Sequence, residues 1–376
     1  MNDKPYIVLG LGPSGLFLVR QLQNITSNIY GIGRNDDVGL YSKYIKKEKR
    51  FVAETEETLL IAFQQIVGAE TEKPILYICS DQYLSLLLRA KTNLEKYFTL
   101  AGSDFSVLRL INDKSRVNRH CLHDGIQITF VVDLEQAAQD PSLEYPVIVR
   151  WKEKRLNERK NPVGKIRICE SREDLDALNK KIQACRISPN DFFVQQYITG
   201  DNRWQYSVGG YYHSGKALAQ VVVNQVKQYP QGISAQVITV SNEYEEPLRQ
   251  QTNRLACSLN FTGFLEVEYK VNPINKVIYL LDINPRPWGW VSILGSVCPN
   301  FHLALMNRQP DANSMKAIWK SNLRCLLSFR NPKNANIPFD RTGYARARDI
   351  YDPKDKIPSL MLYLMALKKV VKRISK

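Results

Sequence analysis

Glu268, Asp282 and Asn284 bring three oxygen-bearing side chains to a spacing that suits a divalent cation and the phosphates beside it. Residues 264–271 alternate as a strand does, 272–276 make a polar turn, and 277–284 alternate again, which predicts a β-hairpin. Side chains two apart on a strand share a face, so Asp282 and Asn284 project together, roughly 6.6 Å apart. Glu268 can face them from the partner strand. Hard oxygen ligands suit Mg²⁺ or Mn²⁺; Mg²⁺ keeps several waters and takes one or two carboxylates along with nucleotide phosphates. Pro285 stops the second strand, and Arg286 follows, a planar cation shaped for phosphate or carboxylate. The same run also fits an exposed hairpin ending in a turn, where Asp, Asn and Pro gather for local reasons.

The elements that must position this hairpin begin at the N-terminus. Tyr6-Ile7-Val8-Leu9 reads as a strand, Gly10-Leu11-Gly12-Pro13-Ser14-Gly15 as a glycine turn, and the run to about Leu22 as an amphipathic helix. This is the G-x-G-x-x-G of a dinucleotide site in its usual context. The next strand, 29–33, ends in Arg34 and lacks the acid that would hold a ribose. Arginine there can receive the 2′-phosphate of NADP, so an NADP-dependent oxidoreductase is one alternative; glycines that merely permit a tight turn are the other. Residues 74–80 predict a further parallel strand, with a helix from about Tyr83. Asp113 reads as the N-cap of a helix through Leu122, on whose surface His120 and His123 lie without a third metal ligand nearby in sequence.

Further on, 146–150 predicts an apolar strand delivering Arg150. A loop crowded with Lys152, Lys154, Arg155, Arg159, Lys160, Gly164 and Lys165 separates it from the next strand at 166–168. Residues 192–198 form another strand, and antiparallel strands follow at 206–212, 216–223 and 236–240. The segment 227–232 reads as a turn, and a helix over 247–259 leads into the hairpin.

With these residues in view the chain resembles the ATP-grasp ligases, the superfamily of biotin carboxylase and carbamoyl phosphate synthetase. The likeness rests on Gly263-Phe264-Leu265-Glu266-Val267-Glu268-Tyr269 and on Leu281-Asp282-Ile283-Asn284-Pro285-Arg286. Asn112-Asp113-Lys114 is similar to the opening of that module. The resemblance implies that Lys114, Arg150 and Lys165 contact the nucleotide phosphates, Arg150 standing where these enzymes usually place lysine. It implies that Gln195, Gln196 and Ile198 surround adenine, with glutamine at 196 where many relatives have an acid, and that Asp201 takes the ribose hydroxyls. Glu268, Asp282 and Asn284 become the metal ligands, and Arg286 and Lys227 the catalytic cations. An opening Rossmann-like domain in this group holds no dinucleotide but helps form the acceptor pocket. Within the superfamily, Gly39-Leu40-Tyr41-Ser42-Lys43-Tyr44 and Asn284-Pro285-Arg286-Pro287-Trp288-Gly289 look most like D-aspartate ligase-type and cell-surface-glycan amino-acid ligases.

Composition agrees with a soluble enzyme: 376 residues, 44% hydrophobic and 24% charged, suffice for two or three domains with cores. No signal sequence or spanning segment is evident, which predicts a cytoplasmic protein. Seven scattered cysteines without a CxxC pair argue for reduced thiols and against a zinc site. Of the net charge of +15, residues 301–376 carry +11, from sixteen Lys and Arg against five Asp. From Ile357 an amphipathic pattern runs through Leu360, Tyr363, Leu364, Leu367, Val370, Val371 and Ile374, with Lys368, Lys369, Lys372, Arg373 and Lys376 on other faces. The expectation is that this stripe docks on the body of the protein; the alternative is that it lies on the inner leaflet of an anionic membrane.

The sequence therefore predicts an α/β chain in four parts: a Rossmann-like domain over 1–110, ATP-grasp subdomains over 111–205 and 206–310, and a basic helical extension over 311–376. Its predicted activity is an ATP- and Mg²⁺-dependent ligation of a carboxylate to an amine, the acceptor being a small molecule or an anionic glycan or nucleotide-linked precursor. A homodimer is compatible with this reading. Nucleic acid is not an expected partner, since no binding motif accompanies the basic tail. A degenerate ATP-grasp protein that binds nucleotide without turnover is the remaining alternative.

Overall fold

The computed structural model describes residues 4–152, 163, 166–311, 315–328 and 342–374. Lys154, Arg155, Arg159, Lys160, Gly164 and Lys165 of the predicted phosphate loop lie outside the described residues.

The N-terminal part is a five-stranded parallel sheet in the order Arg50–Val52, Ile29–Gly33, Tyr6–Leu9, Ile75–Ile78, Thr99–Leu100. Two of its three inner strands, Tyr6–Leu9 and Ile29–Gly33, are wholly buried, as expected of parallel strands covered on both faces. Helices Pro13–Leu22, Glu56–Ala69 and Asp81–Arg89 follow strands Tyr6–Leu9, Arg50–Val52 and Ile75–Ile78. The glycine turn is tight for a steric reason. Gly10 has φ +96°, and a Cβ on Gly15 would lie 2.0 Å from the Gly10 carbonyl oxygen.

A second sheet is antiparallel, ordered Val131–Asp133, Phe192–Gln196, Val147–Trp151, Arg167–Cys169. Val147, Val149, Phe192 and Val194 face a core completed by Leu134, Leu175, Leu178 and Ile182 from helices Leu134–Gln139 and Arg172–Ala184. By alternation, Arg150, Phe193 and Gln195 project from the opposite face.

The third sheet has seven strands, ordered Ile278–Asn284, Gly263–Val271, Gln205–His213, Lys216–Gln228, Ser234–Thr239, Ala317–Lys320, Ala345–Ala347. One face buries Tyr206, Val208, Leu265, Val267 and Tyr269 against Leu248, Leu255 and Ala256 of helix Glu245–Ser258. The other carries Ser207, Glu266, Glu268, Lys270, Asp282 and Asn284. On that polar face the Trp288 ring lies against Gly209, where a Cβ would come within 2.1 Å of its Cζ2.

Two elements differ from expectation. Strand Lys216–Gln228 runs five residues beyond the predicted end at 223, so Lys227 sits in the strand, paired with Gln236, and the turn itself is only 229–233. Polar side chains in this extension are buried and bonded, as when Asn224 Nδ2 reaches the Arg203 and Gln205 carbonyls, and alternation of polarity cannot register such a strand. The second difference is in helix Ile357–Ile374. Leu360, Tyr363, Leu364 and Leu367, expected to dock, are exposed, whereas Pro358, Ser359 and Leu362 turn inward, Leu362 against Leu16, Val38 and Ile350. The helix is apolar on both sides, so periodicity alone did not select the covered one.

The segment before this helix is tied down by Asp355, which is 2% exposed. Its carboxylate accepts from Arg20 Nε at 3.1 Å, Ser42 Oγ at 2.8 Å and the Lys43 N–H at 3.0 Å. Removing one member of a buried ion pair leaves the other charge uncompensated. Asp355→Asn is expected to destabilise this junction by ~3 kcal/mol, seen as a lower urea midpoint and faster proteolytic loss of the C-terminal segment; an unchanged midpoint would refute the anchoring role.

Candidate active site

The hairpin register sets Glu268 opposite Asp282 and Glu266 opposite Asn284, so four polar side chains share one patch of the sheet. Glu266, Asp282 and Asn284 are all buried. Immediately beyond Glu268 the register shifts: Tyr269 pairs with Leu280, leaving Leu281 as an extra residue. Such a bulge kinks a strand and frees a backbone group. The Leu281 carbonyl accepts from Gln195 Nε2 at 3.4 Å, and this links the second sheet to the third.

Asp282 is the electrostatic centre. Lys114 Nζ bonds its Oδ1, and Arg150 Nη2 donates to Oδ2 at 2.6 Å. Burial disfavours the Arg150 charge, but Asp282 and Glu268 outweigh it and hold the guanidinium above its ordinary pKa. Arg150 also lies 5.8 Å from the Phe193 ring centroid and donates to Gln195 Oε1 at 3.4 Å. Asn284 donates through Nδ2 to Glu266 at 3.1 Å and to Glu268 at 3.4 Å, and its Oδ1 accepts from Arg286 Nη2 at 3.2 Å. Arg286 forks onto Asp81, Nε to Oδ1 at 2.5 Å and Nη2 to Oδ2 at 2.7 Å.

The structure thus brings Lys114, Arg150, Gln195, Glu268, Asp282, Asn284 and Arg286 together. Gln196 ends its strand, its N–H bonded to the Phe130 carbonyl at 3.2 Å, and Ile198 is buried just beyond. Asp201 is turned to Arg203, whose Nη2 lies 2.7 Å from its Oδ2; the bond to Arg203 holds this carboxyl below its ordinary pKa. His120 bonds Ser258 Oγ at 2.9 Å and lies 3.4 Å from Asp124, a structural use.

Four residues of the neighbourhood were not among the sequence candidates. Glu266 was legible in principle, standing two before Glu268 on the same face. Lys270, two beyond, is buried and donates to the carbonyls of Gly200 at 2.7 Å and Asp201 at 2.8 Å, clamping the predicted ribose turn to the sheet; burial pushes its pKa down to about 8, against a smaller opposing pull from Asp201. Asp81 comes from the first sheet's unit and carries no local signal. Asp37 accepts from the Leu11 and Arg34 N–H groups, both at 3.0 Å, and so sets a carboxylate inside the glycine turn, where a dinucleotide would need to set its phosphates.

Two cavities flank the cluster. One of about 840 Å³ is lined by Lys114, Asp113, Phe193, Asp133, Lys152 and Arg109, among others. Glu268 and Asp282 do not line it, because Arg150 and Lys114 close over Asp282. The other, about 500 Å³, lies between the glycine turn and Arg286, with Gly12, Arg34, Asp37, Ser80 and Asp81 on its walls. Among the described residues no three His, Cys, Asp or Glu side chains form a ready metal cage. The expected set includes an amide, and cations occupy both oxygens of Asp282. As a donor set, however, Glu268, Asp282 and Asn284 offer the hard oxygens that fit Mg²⁺.

No protein-family model matches the chain. It is 22% identical over 245 residues to D-aspartate ligase of Enterococcus faecium, an alignment covering 61% of this chain and 57% of that protein, so the chain spans little more than half of its curated relative. Among solved structures it is similar to biotin carboxylase of Campylobacter jejuni, at TM-score 0.64 and 13% identity, over 84% of this chain and 75% of that one. It is equally similar in fold to N5-carboxyaminoimidazole synthase of Aspergillus clavatus, solved with ADP and an aminoimidazole ribonucleotide, at TM-score 0.64 and 15% identity, over 84% and 81% of the two chains. The fold is the ATP-grasp fold.

Proposed function

We propose that the chain is an ATP-dependent ligase that joins a carboxylate to an amine through an acyl phosphate. The observation that carries this reading is the convergence of Glu268, Asp282, Asn284 and Arg286 on one sheet face with Arg150 and Lys114 closing from the other side. The fold shared with biotin carboxylase and the likeness to D-aspartate ligase support it.

In this reading Lys114 and Arg150 hold the nucleotide phosphates, exchanging Asp282 for them as partners. Gln195, Gln196 and Ile198 border the adenine, Asp201 turns from Arg203 to the ribose, and Lys165 completes the phosphate contacts from the loop outside the described residues. Glu268, Asp282 and Asn284 would hold Mg²⁺, which supplies charge neutralisation on the phosphates when bound. A substrate carboxylate oxygen attacks the γ-phosphorus and ADP leaves. The amine then attacks the acyl carbon, phosphate departs with the bonding pair, and the nitrogen releases its proton. Such chemistry needs placement and charge stabilisation, not a protein nucleophile. Arg286 faces the developing negative charge, with Lys227 as a second cation.

The cavity between the glycine turn and Arg286 suits the acid, because Arg34 and Arg286 supply cations and Asp37 and Asp81 can receive an ammonium group. An amino acid is therefore the favoured acid. Its acceptor is an amine on a small molecule or on an anionic precursor of the cell envelope or a polysaccharide, and the reaction belongs in the cytoplasm. The four-part division at 110, 205 and 310 is kept as a proposal with one correction: strands Ala317–Lys320 and Ala345–Ala347 join the third sheet from beyond 310, so the basic extension is not separate from it. Asp37 in the glycine turn weighs against NADP. Arginine at 150 keeps a nucleotide-binding protein without turnover as the second reading.

The deciding experiment incubates the chain with ATP, Mg²⁺ and a matrix of amino acids and amines and follows ADP release. ADP that depends on both an acid and an amine is the expected result. Tight ATP binding with no ADP from any pair would favour the second reading.

A further inference from the structure

Helix Ile357–Ile374 is eighteen residues long and contains no acidic residue. Its inner side is fixed to the body of the protein through Leu362, and Asp355, two residues before it, locks its start. Its outer side leaves Leu360, Tyr363, Leu364 and Leu367 exposed at 59, 45, 43 and 60%. A contiguous apolar stripe held open to water by a rigid mount is uncommon on a monomer and marks an interaction surface. Cations frame it. Lys354 and Lys356 are exposed before the helix and Lys368 follows the stripe, with Lys369, Lys372 and Arg373 next in sequence. The wider segment 301–376 carries +11. No helix of the described residues is long and apolar enough to cross a membrane.

We propose that this helix is an in-plane anchor for an anionic lipid surface. Its stripe enters the boundary between headgroups and acyl chains while the lysines meet the lipid phosphates. Charge complementarity selects this partner: a second copy of the chain would bring the same exposed lysines against one another, whereas an anionic leaflet neutralises them. The inference does not depend on the reaction proposed above, since it concerns only the mounted helix and its charge.

The test uses the full chain with vesicles of phosphatidylcholine alone or mixed with phosphatidylglycerol. Co-sedimentation with the mixed vesicles is expected, weakened by salt, and at least about tenfold weaker in Leu360→Ser/Leu364→Ser/Leu367→Ser, whose exposed positions leave the fold intact. Circular dichroism and the urea midpoint verify that the variant is folded. Failure to bind phosphatidylglycerol vesicles, or binding that the triple variant retains in full, overturns the proposal. So does a dimer in sedimentation equilibrium that the same substitutions dissociate, because the stripe would then be covered by a second copy.

Discussion

Asp282→Asn is expected to lower acid- and amine-dependent ADP release by about a thousandfold or more, the scale on which Lewis-acid charge stabilisation acts. The substitution changes little in volume and removes one negative charge. In the wild-type protein that charge is shared between Lys114 and Arg150, one contact from each oxygen. On the proposed reading it has two duties, as partner of two part-buried cations before nucleotide arrives and as a hard ligand afterwards. The duties can be separated. Without nucleotide the variant should lose ~3 kcal/mol of stability, the usual result of stripping a partner from a buried charge. ATP brings phosphate oxygens to the same cations, so its stabilising effect on thermal unfolding should persist or grow in the variant while turnover collapses. If instead ADP release survives at the wild-type rate, the metal assignment is wrong, whatever happens to stability.

Much of this site could be read from sequence because a strand has period two. Glu268, Asp282 and Asn284 needed only a hairpin with a short polar turn to share a face, and the register supplies it with Glu268 opposite Asp282. The same periodicity carries Glu266 and Lys270, which alternate with Glu268 along one face of the strand. What no periodicity carries is contact between distant segments. Asp81 meets Arg286 across 205 residues of chain, at the start of a helix whose sequence signals only a good N-terminus. The Leu281 bulge was likewise hidden, since an extra residue in a strand depends on what the freed carbonyl meets, here Gln195. The terminal helix illustrates a different limit. With apolar residues on both sides, its docked face was decided by the pocket around Leu16, Val38 and Ile350, not by the helix. Fold class was accessible through the glycine turn and the Asp282–Arg286 run, while the long polar strand end that carries Lys227 was not.

Arg286→Lys is expected to reduce turnover by about a hundredfold with a smaller change in the apparent affinity for ATP, a loss typical of removing one fixed donor from a developing negative charge. The charge is conserved in this exchange, so the prediction concerns shape. Arg286 spends one edge on Asp81 in a two-point fork, while Nη2 also reaches Asn284 and Nη1 the Pro287 carbonyl at 2.9 Å. A lysine ammonium cannot span these positions at once, and it would settle on Asp81 or on Asn284. Asp81→Asn gives the complementary case: the guanidinium stays but loses its anionic mount and half of the fork, and turnover should fall by about tenfold or less, because the amide oxygen still accepts one bond while Asn284 and the Pro287 carbonyl keep theirs. That ordering, with Arg286→Lys well below Asp81→Asn in kcat, separates a cation acting on the reacting phosphate from one that only ties the first sheet's unit to the third sheet. Were the fork purely structural, both substitutions would lower the urea midpoint together and leave ADP release per folded molecule unchanged.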